Sequence, residues 1–299
     1  MAPGKIAMEK AAPGYLRPVQ SAALSAGEER DVAAICPGLG QIVEAEGRAD
    51  PVLWGPYVSA ETGWSTDTQT RFSASSGGAL SAILTHLVET GTVDAVLQTT
   101  ADPALPVGNA SVVTEDAESI RAAAGSRYAP SAPLADLPEH LAEHEETGRR
   151  FAFVGKPCDA VALRALSARN PQVSAAFPVV LSFFCAGVPA QAGAEKVLEA
   201  LGTDLTRTQA FRYRGHGWPG RATATLDDGS ERSMTYHDSW GKILSRHVQH
   251  RCKLCPDGTG VAADIVCADA WESDAEGYPV FEEKEGVKGR VLARVLVEV

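Results

Sequence analysis

The chain has 299 residues and a formal net charge of -11, with 44% hydrophobic and 22% charged residues. That composition is ordinary for a globular protein, and the length gives one large domain or two modest ones. So acidic a chain lacks the Lys/Arg excess that nucleic acid or an anionic membrane surface requires, so neither is expected as a partner.

The N-terminus carries scattered charges and no apolar h-region. No signal peptide is read there, and a cytoplasmic location is expected. Residues 1–50, rich in Ala, Gly, Pro and Glu, read as loops with one helix around 27–34. Residues 51–60 have strand-like composition interrupted by Pro51 and Pro56. The segment RFSASSGG then runs into ALSAILTHLVETG, where Leu80, Ile83, Leu84, Leu87 and Val88 follow the helical period and Gly91 closes it. Residues 93–100 read as a buried strand and 111–114 as a short one. Asp116 is an N-cap with Ser119, not Glu, three residues on, so half a capping box is expected.

Residues 129–138 read as a loop. A strand at 150–155, a GKPC turn, a helix from Asp159 and a strand over 177–187 predict a parallel sheet with crossover helices. The apolar run 177–190 is too short for a spanning helix, which needs about 20 residues. A helix over AGAEKVLEALG follows. Residues 221–226 and 231–236, joined by Asp227–Gly229, read as a β-hairpin. A helix is expected over 239–250, a strand in DIVCADAW, and a last apolar stretch in VLARVLVEV. The expected architecture is α/β: a mixed or parallel sheet with flanking helices, plus a C-terminal β-hairpin and a cysteine-rich segment.

Six cysteines are present, at 36, 158, 185, 252, 255 and 267. The sharpest motif is Cys252-Lys-Leu-Cys255-Pro256, whose spacing lets two thiolates reach one metal from a tight turn. Zinc with His247 or His250, a redox dithiol, or two cysteines in a turn are the competing readings. Cys158 and Cys185 each fall at the carboxyl end of an expected parallel strand, where open α/β sheets bind ligands. With the C-x-x-C pair they make four thiolates, a ligand set for [4Fe–4S] or structural zinc. Lys156 and a helix start beside Cys158 favour its thiolate. Ser75-Ser76-Gly77-Gly78 opens a helix whose free N–H groups suit a phosphate, although such turns are also common N-caps. The loop YRGHGWPG (213–220) has the density of a ligand-lining loop, with His216 as a possible proton donor or simply a solvated side chain.

Seven segments in order carry a resemblance: GYLRPV (14–19), SASSGGALSAIL (73–84), GSRYAPS (125–131), VGKPCDAVALRAL (154–166), FFCAG (183–187), YRGHGWPG and CKLCPDGTGVAADIVCADAW (252–271). Together they resemble the beta-subunit family of coenzyme F420 hydrogenase and F420-linked formate dehydrogenase, relatives of which include 7-hydroxymethyl chlorophyll a reductase. The resemblance implies FAD near Ser76, Gly77, Gly78, Ser126 and Tyr128, with Ser75 in the same turn. It implies a [4Fe–4S] cluster on Cys158, Cys185, Cys252 and Cys255, with Asp264 and Asp269 at the acidic positions after the C-x-x-C. It implies an oxidoreductase acting on a small substrate or hydride carrier, and a redox partner protein, either a ferredoxin or another subunit. The alternatives are a non-catalytic electron-transfer subunit or a zinc-stabilised binding module. The expected division is an N-terminal extension (1–50), a flavin-binding core (51–205) and a hairpin with an iron–sulfur segment (206–299), or one continuous domain. Residues 1–13 lack the cysteines that many relatives carry there, and Cys267 replaces a usual glycine. Cys36 and Cys267 are read as packing.

Overall fold

A computed structural model describes residues 4–45, 47–52, 54–280 and the backbone of 291–295. Its strands are β1 (Ile6–Ala11), β2 (Tyr15–Gln20), β3 (Ser59–Gly63), β4 (Ala95–Asp102), β5 (Leu105–Thr114), β6 (Phe151–Val154), β7 (Val179–Phe183), β8 (Thr208–Arg212), β9 (Ala222–Leu226), β10 (Glu231–Met234), β11 (Ile265–Asp269) and β12 (Val291–Val295). Its helices are α1 (Ala26–Ile35), α2 (Thr68–Ser73), α3 (Ala79–Glu89), α4 (Ala117–Ala122), α5 (Leu137–Thr147), α6 (Pro157–Ser167), α7 (Pro171–Ala176), α8 (Gln191–Ala200) and α9 (His250–Lys253).

The main sheet has the order β3-β12-β11-β7-β6-β4-β5. Its centre, β4, β6, β7 and β11, is parallel, and β5, β12 and β3 pair antiparallel at the two sides. The expected mixed α/β sheet is therefore present. Strand alternation divides its core. Leu97, Phe151, Phe153 and Val180 pack against Leu137, Leu163 and Val173 of the helices on one face. Val96, Ala152, Val154 and Leu181 pack against Leu84, Leu87 and Ile120 of the helices on the other. A second antiparallel sheet, β10-β9-β8, holds the expected hairpin and buries its face with α8.

Several local expectations change. Residues 6–20, read as loop, form the β1–β2 hairpin. Its side chains are mostly exposed, so no alternating apolar pattern marks it. It is held by its turn: α8 has no side-chain N-cap, and the Gln191 and Ala192 amides donate to the Gly14 and Pro13 carbonyls instead. Of the expected stretch 51–60, Ser59 and Ala60 begin β3 and Tyr57 makes an isolated bridge to Ala49, while the other described residues join no strand, consistent with Pro51 and Pro56. The box at α4 is complete, because the Ser119 hydroxyl accepts from the Asp116 amide as a glutamate would. Only Val179–Phe183 of the long 177–187 run is strand; beyond it, the Phe184 and Cys185 amides donate to Cys267 and Gly258 carbonyls. The helix expected over 239–250 is a π-turn, a 3₁₀ turn and a break before α9. The break arises where Val248 bridges to Pro189 and the Gln249 amide donates to the Val188 carbonyl.

Replacing Phe153, fully buried, with alanine should cost ~3–5 kcal/mol in urea unfolding. Leu39→Ala, at a side chain 71% exposed, should stay within about 0.5 kcal/mol.

Candidate functional site

The four parallel strands end on one edge of the sheet. A cavity of about 500 Å³ opens there, lined by Gln98 and Thr99 of β4, Gly155 after β6, Phe183 and Cys185 at the end of β7, and Asp269 of β11. This is the crevice outside the carboxyl ends of strands where open α/β sheets hold ligands.

The Ser75–Gly78 turn forms one wall. Ser76, Gly77 and Gly78 take consecutive left-handed φ values of 55°, 73° and 72°. Ser76 is a non-glycine residue in this region, and its hydroxyl donates a short hydrogen bond to Asp269 Oδ1, which holds it there. The Ser75 hydroxyl accepts from the Ser126 amide at 2.8 Å, so two of the expected cofactor residues meet directly. Gly78 sits at the N-cap of α3 without a side-chain cap, and Leu80 and Ser81 of the first turn line the cavity. A Cβ on Gly78 would lie 2.9 Å from the Thr70 carbonyl oxygen, so glycine is needed sterically as well as for φ. Ser75, Ser76 and Gly78 form the wall, whereas the Gly77 carbonyl turns away to accept from the Ser65 amide. Tyr128 also lines the cavity, its ring 4.7 Å from that of Trp240.

Arg214, from the YRGHGWPG loop, is the residue that sequence reasoning missed. It is 3% exposed. Its Nη1 pairs with Asp269 Oδ2 at 2.7 Å and its Nε donates to the Pro219 carbonyl at 2.6 Å. The guanidinium also sits over the rings of Trp218, Tyr236 and Trp271 at 4.8–5.3 Å. Its Nη2 has no hydrogen-bond partner among the described residues. Burial works against this charge, but Tyr128 and Asp269 outweigh it and hold the pKa above the ordinary arginine value. The available signal was an arginine inside a glycine-rich loop beside two aromatics. His216 of the same loop is exposed and stacks on Phe72 with ring centroids 5.2 Å apart, outside this cavity.

The cysteines gather behind the cavity. Cys158 lies in the first turn of α6, and Cys185 both lines the cavity and interacts electrostatically with Cys158, Cys252 and Cys255. The Gly187 turn packs against Cys252, and Gln249 donates to Cys252 Sγ at 3.2 Å. Among the described residues, no three His, Cys, Asp or Glu side chains converge closely enough to hold a metal ion. The donor chemistry nevertheless suits one, since four thiols from three segments share one neighbourhood. Burial, reinforced by Asp159, pushes the Cys158 thiol up to about 12. Lys156 pulls it toward the thiolate, as expected, without outweighing them. Lys156 itself is committed, with Nζ 2.6 Å from Asp159 Oδ2 and 2.8 Å from Ser131 Oγ. Cys267 is buried, and burial likewise pushes its thiol up to about 12. Asp264 serves the fold, accepting from the Val180 amide at 2.8 Å and pairing with Arg164.

Fold and site define an α/β protein with a ligand cavity at the carboxyl edge of its sheet. The family models for the coenzyme F420 hydrogenase/dehydrogenase beta subunit match it twice, the N-terminal model over residues 60–137 and the C-terminal model over 148–288. The chain belongs to that family, and its character is redox. A chain of the F420-reducing [NiFe] hydrogenase complex from Methanosarcina barkeri has the same fold, with a TM-score of 0.62 at 18% identity over 84% of this chain and 78% of that one. No curated protein sequence matches. No described helix is long and apolar enough to cross a membrane.

Arg214→Met should cost ~3–5 kcal/mol in urea unfolding, because it leaves Asp269 without its buried partner. The double variant Arg214→Met/Asp269→Leu should recover part of that loss. Strict additivity of the two single changes would show that the pair does not couple.

Proposed function

We propose that the chain is an iron–sulfur flavoprotein oxidoreductase that passes electrons between a [4Fe–4S] cluster and FAD to reduce or oxidise a small substrate or hydride carrier. The observation that carries this reading is the cavity at the strand ends, which buried Arg214 and the uncapped start of α3 line together with Cys185. Its volume is within the ~300–1,000 Å³ of small-molecule and cofactor sites.

The residues present suit a dinucleotide. Ser75, Ser76 and Gly78 wall the cavity beside the uncapped N-terminus of α3, which suits phosphate oxygens. Gly77 sets the turn without facing the guest. Ser126 fixes the opposite side through Ser75, and Tyr128 presents an aromatic wall backed by Trp240. Arg214 and Lys156 add positive charge. Cys158, Cys185, Cys252 and Cys255 would hold the cluster. Bound flavin would link one-electron traffic through the cluster to two-electron chemistry on the substrate. Cys185 borders the flavin cavity and neighbours the other three thiols, so the two cofactors would lie on either side of one loop.

Anaerobically purified protein should be brown, carry about four irons per chain and release FAD on denaturation. Cys252→Ser or Cys255→Ser should abolish the cluster, and Cys267→Ser should leave it intact. Colourless protein with stoichiometric zinc would overturn the reading in favour of a zinc-stabilised module.

With four cysteines assigned, Cys36 and Cys267 cannot build a second Cys₄ site from this chain. Electrons would therefore come from a docking redox partner, a ferredoxin or another subunit. Flavin reduction by reduced ferredoxin should be faster than by NADH or NADPH. Rapid NAD(P)H turnover by the pure chain would point instead to a self-sufficient dehydrogenase.

A further inference from the structure

A second cavity, of about 450 Å³, adjoins the first and shares Gly125, Ser126, Arg127 and Arg214 with it. Four arginines line it, Arg121, Arg127, Arg212 and Arg214, together with His216. Glu118 is the one carboxylate among its described lining residues. So dense a positive lining on a chain of net charge -11 is a local feature rather than a consequence of composition.

Arg214 is paired with Asp269, but the other arginines make no close ion pair among the described residues. Arg127 spends its donors on neutral groups, the side chain of Asn109 and the carbonyls of Phe211, Pro106 and Gly108. Arg121 has Asp67 only at 4.0 Å. Two buried guanidinium nitrogens, Arg212 Nε and Arg214 Nη2, have no hydrogen-bond partner among the described residues. A buried donor left unmade is costly, and an incoming acceptor removes that cost. Burial also pulls the pKa values of Arg127 and Arg212 below the ordinary arginine value, only partly offset by Asp102 and Glu231 respectively.

The rim is shaped by close backbone contact. A Cβ on Gly215 would come 2.6 Å from the Ser73 carbonyl oxygen, and the Gly217 amide donates to the Phe72 carbonyl. The loop is thereby fixed against the end of α2. His216, at φ 56°, is held over Phe72 beside the arginines.

We propose that this cavity is an anion site that takes a phosphate group, with Arg212 and Arg214 supplying the open donors and Arg121 the charge at its mouth. A phosphate matches it because its oxygens accept from several guanidinium donors at once and its charge offsets the arginine excess. Two sources share this chemistry: the diphosphate of a dinucleotide reaching across from the first cavity, or a separate phosphate-bearing substrate. The inference rests on the arginines and holds whether or not the first cavity takes FAD.

The test is calorimetric titration of the full chain with inorganic phosphate, once as purified and once after saturation with FAD, at fixed low ionic strength. Saturable binding is expected in at least one form. Arg212→Gln and Arg121→Gln, both outside the Ser75–Gly78 turn and the cysteine group, should each weaken it by about tenfold, the loss expected for a charge-assisted contact. Binding that FAD abolishes identifies the dinucleotide diphosphate as the source, and binding that persists with FAD identifies a separate substrate. Circular dichroism of both variants separates lost binding from lost fold, and Arg212→Lys, which keeps the charge, should restore part of the affinity. Absence of phosphate binding in both forms, or full affinity in the folded Arg212→Gln and Arg121→Gln variants, overturns the proposal. Because the phosphate readout does not need flavin, failure of the FAD reading leaves it interpretable.

Discussion

The ion pair of Arg214 with Asp269 is the constraint on which the rest of the site depends. Asp269 is the last residue of β11, the parallel strand farthest along the central sheet, and Arg214 belongs to the loop leaving β8 in the second sheet. The same carboxylate receives the Ser76 hydroxyl, so a single group ties the main sheet, the second sheet and the turn before α3 together. Arg214 is buried and Asp269 largely so. Such a pair adds little net stability over an apolar substitute, but breaking it leaves a buried charge exposed to a low dielectric. Its value is geometric: it sets the relative position of three segments that meet nowhere in sequence.

That geometry explains why a non-glycine residue is tolerated in the Ser75–Gly78 turn. Ser76 is held at positive φ by the hydrogen bond its hydroxyl donates to Asp269. Gly78 answers a different demand, the close approach of the Thr70 carbonyl. The two produce a helix start that has no side-chain cap and whose first turn lines the cavity.

The cysteine group follows another logic. Cys158 and Cys185 follow the ends of adjacent parallel strands, because the crossover from β6 to β7 through α6 and α7 places successive strand ends side by side. The C-x-x-C turn reaches them through strand-like contacts of 187–190 with 247–249, which also break the helix expected there. Burial pushes the thiols of Cys158 and Cys185 above the ordinary cysteine value. Metal ligation requires the thiolates, so loading would release protons.

The sequence alone determined the parallel centre of the sheet, the start of α3, the hairpin and the cluster of family motifs. Each is written in local periods, turn residues or spacings of a few positions, and these act through near neighbours in the chain. The same holds for Cys252 and Cys255, adjacent by covalent spacing. Only the tertiary structure decided that Ser75 meets Ser126, that Arg214 rather than His216 enters the main cavity, and that a second group of arginines lies beside it. Nothing in YRGHGWPG says which polar side chain turns inward, because that choice depends on Asp269, 55 residues away. The β1–β2 hairpin was illegible for a related reason. Its exposed strands carry no apolar alternation, and what holds it is the match between its turn carbonyls and the uncapped amides of α8, a complementarity that exists only once both are in place.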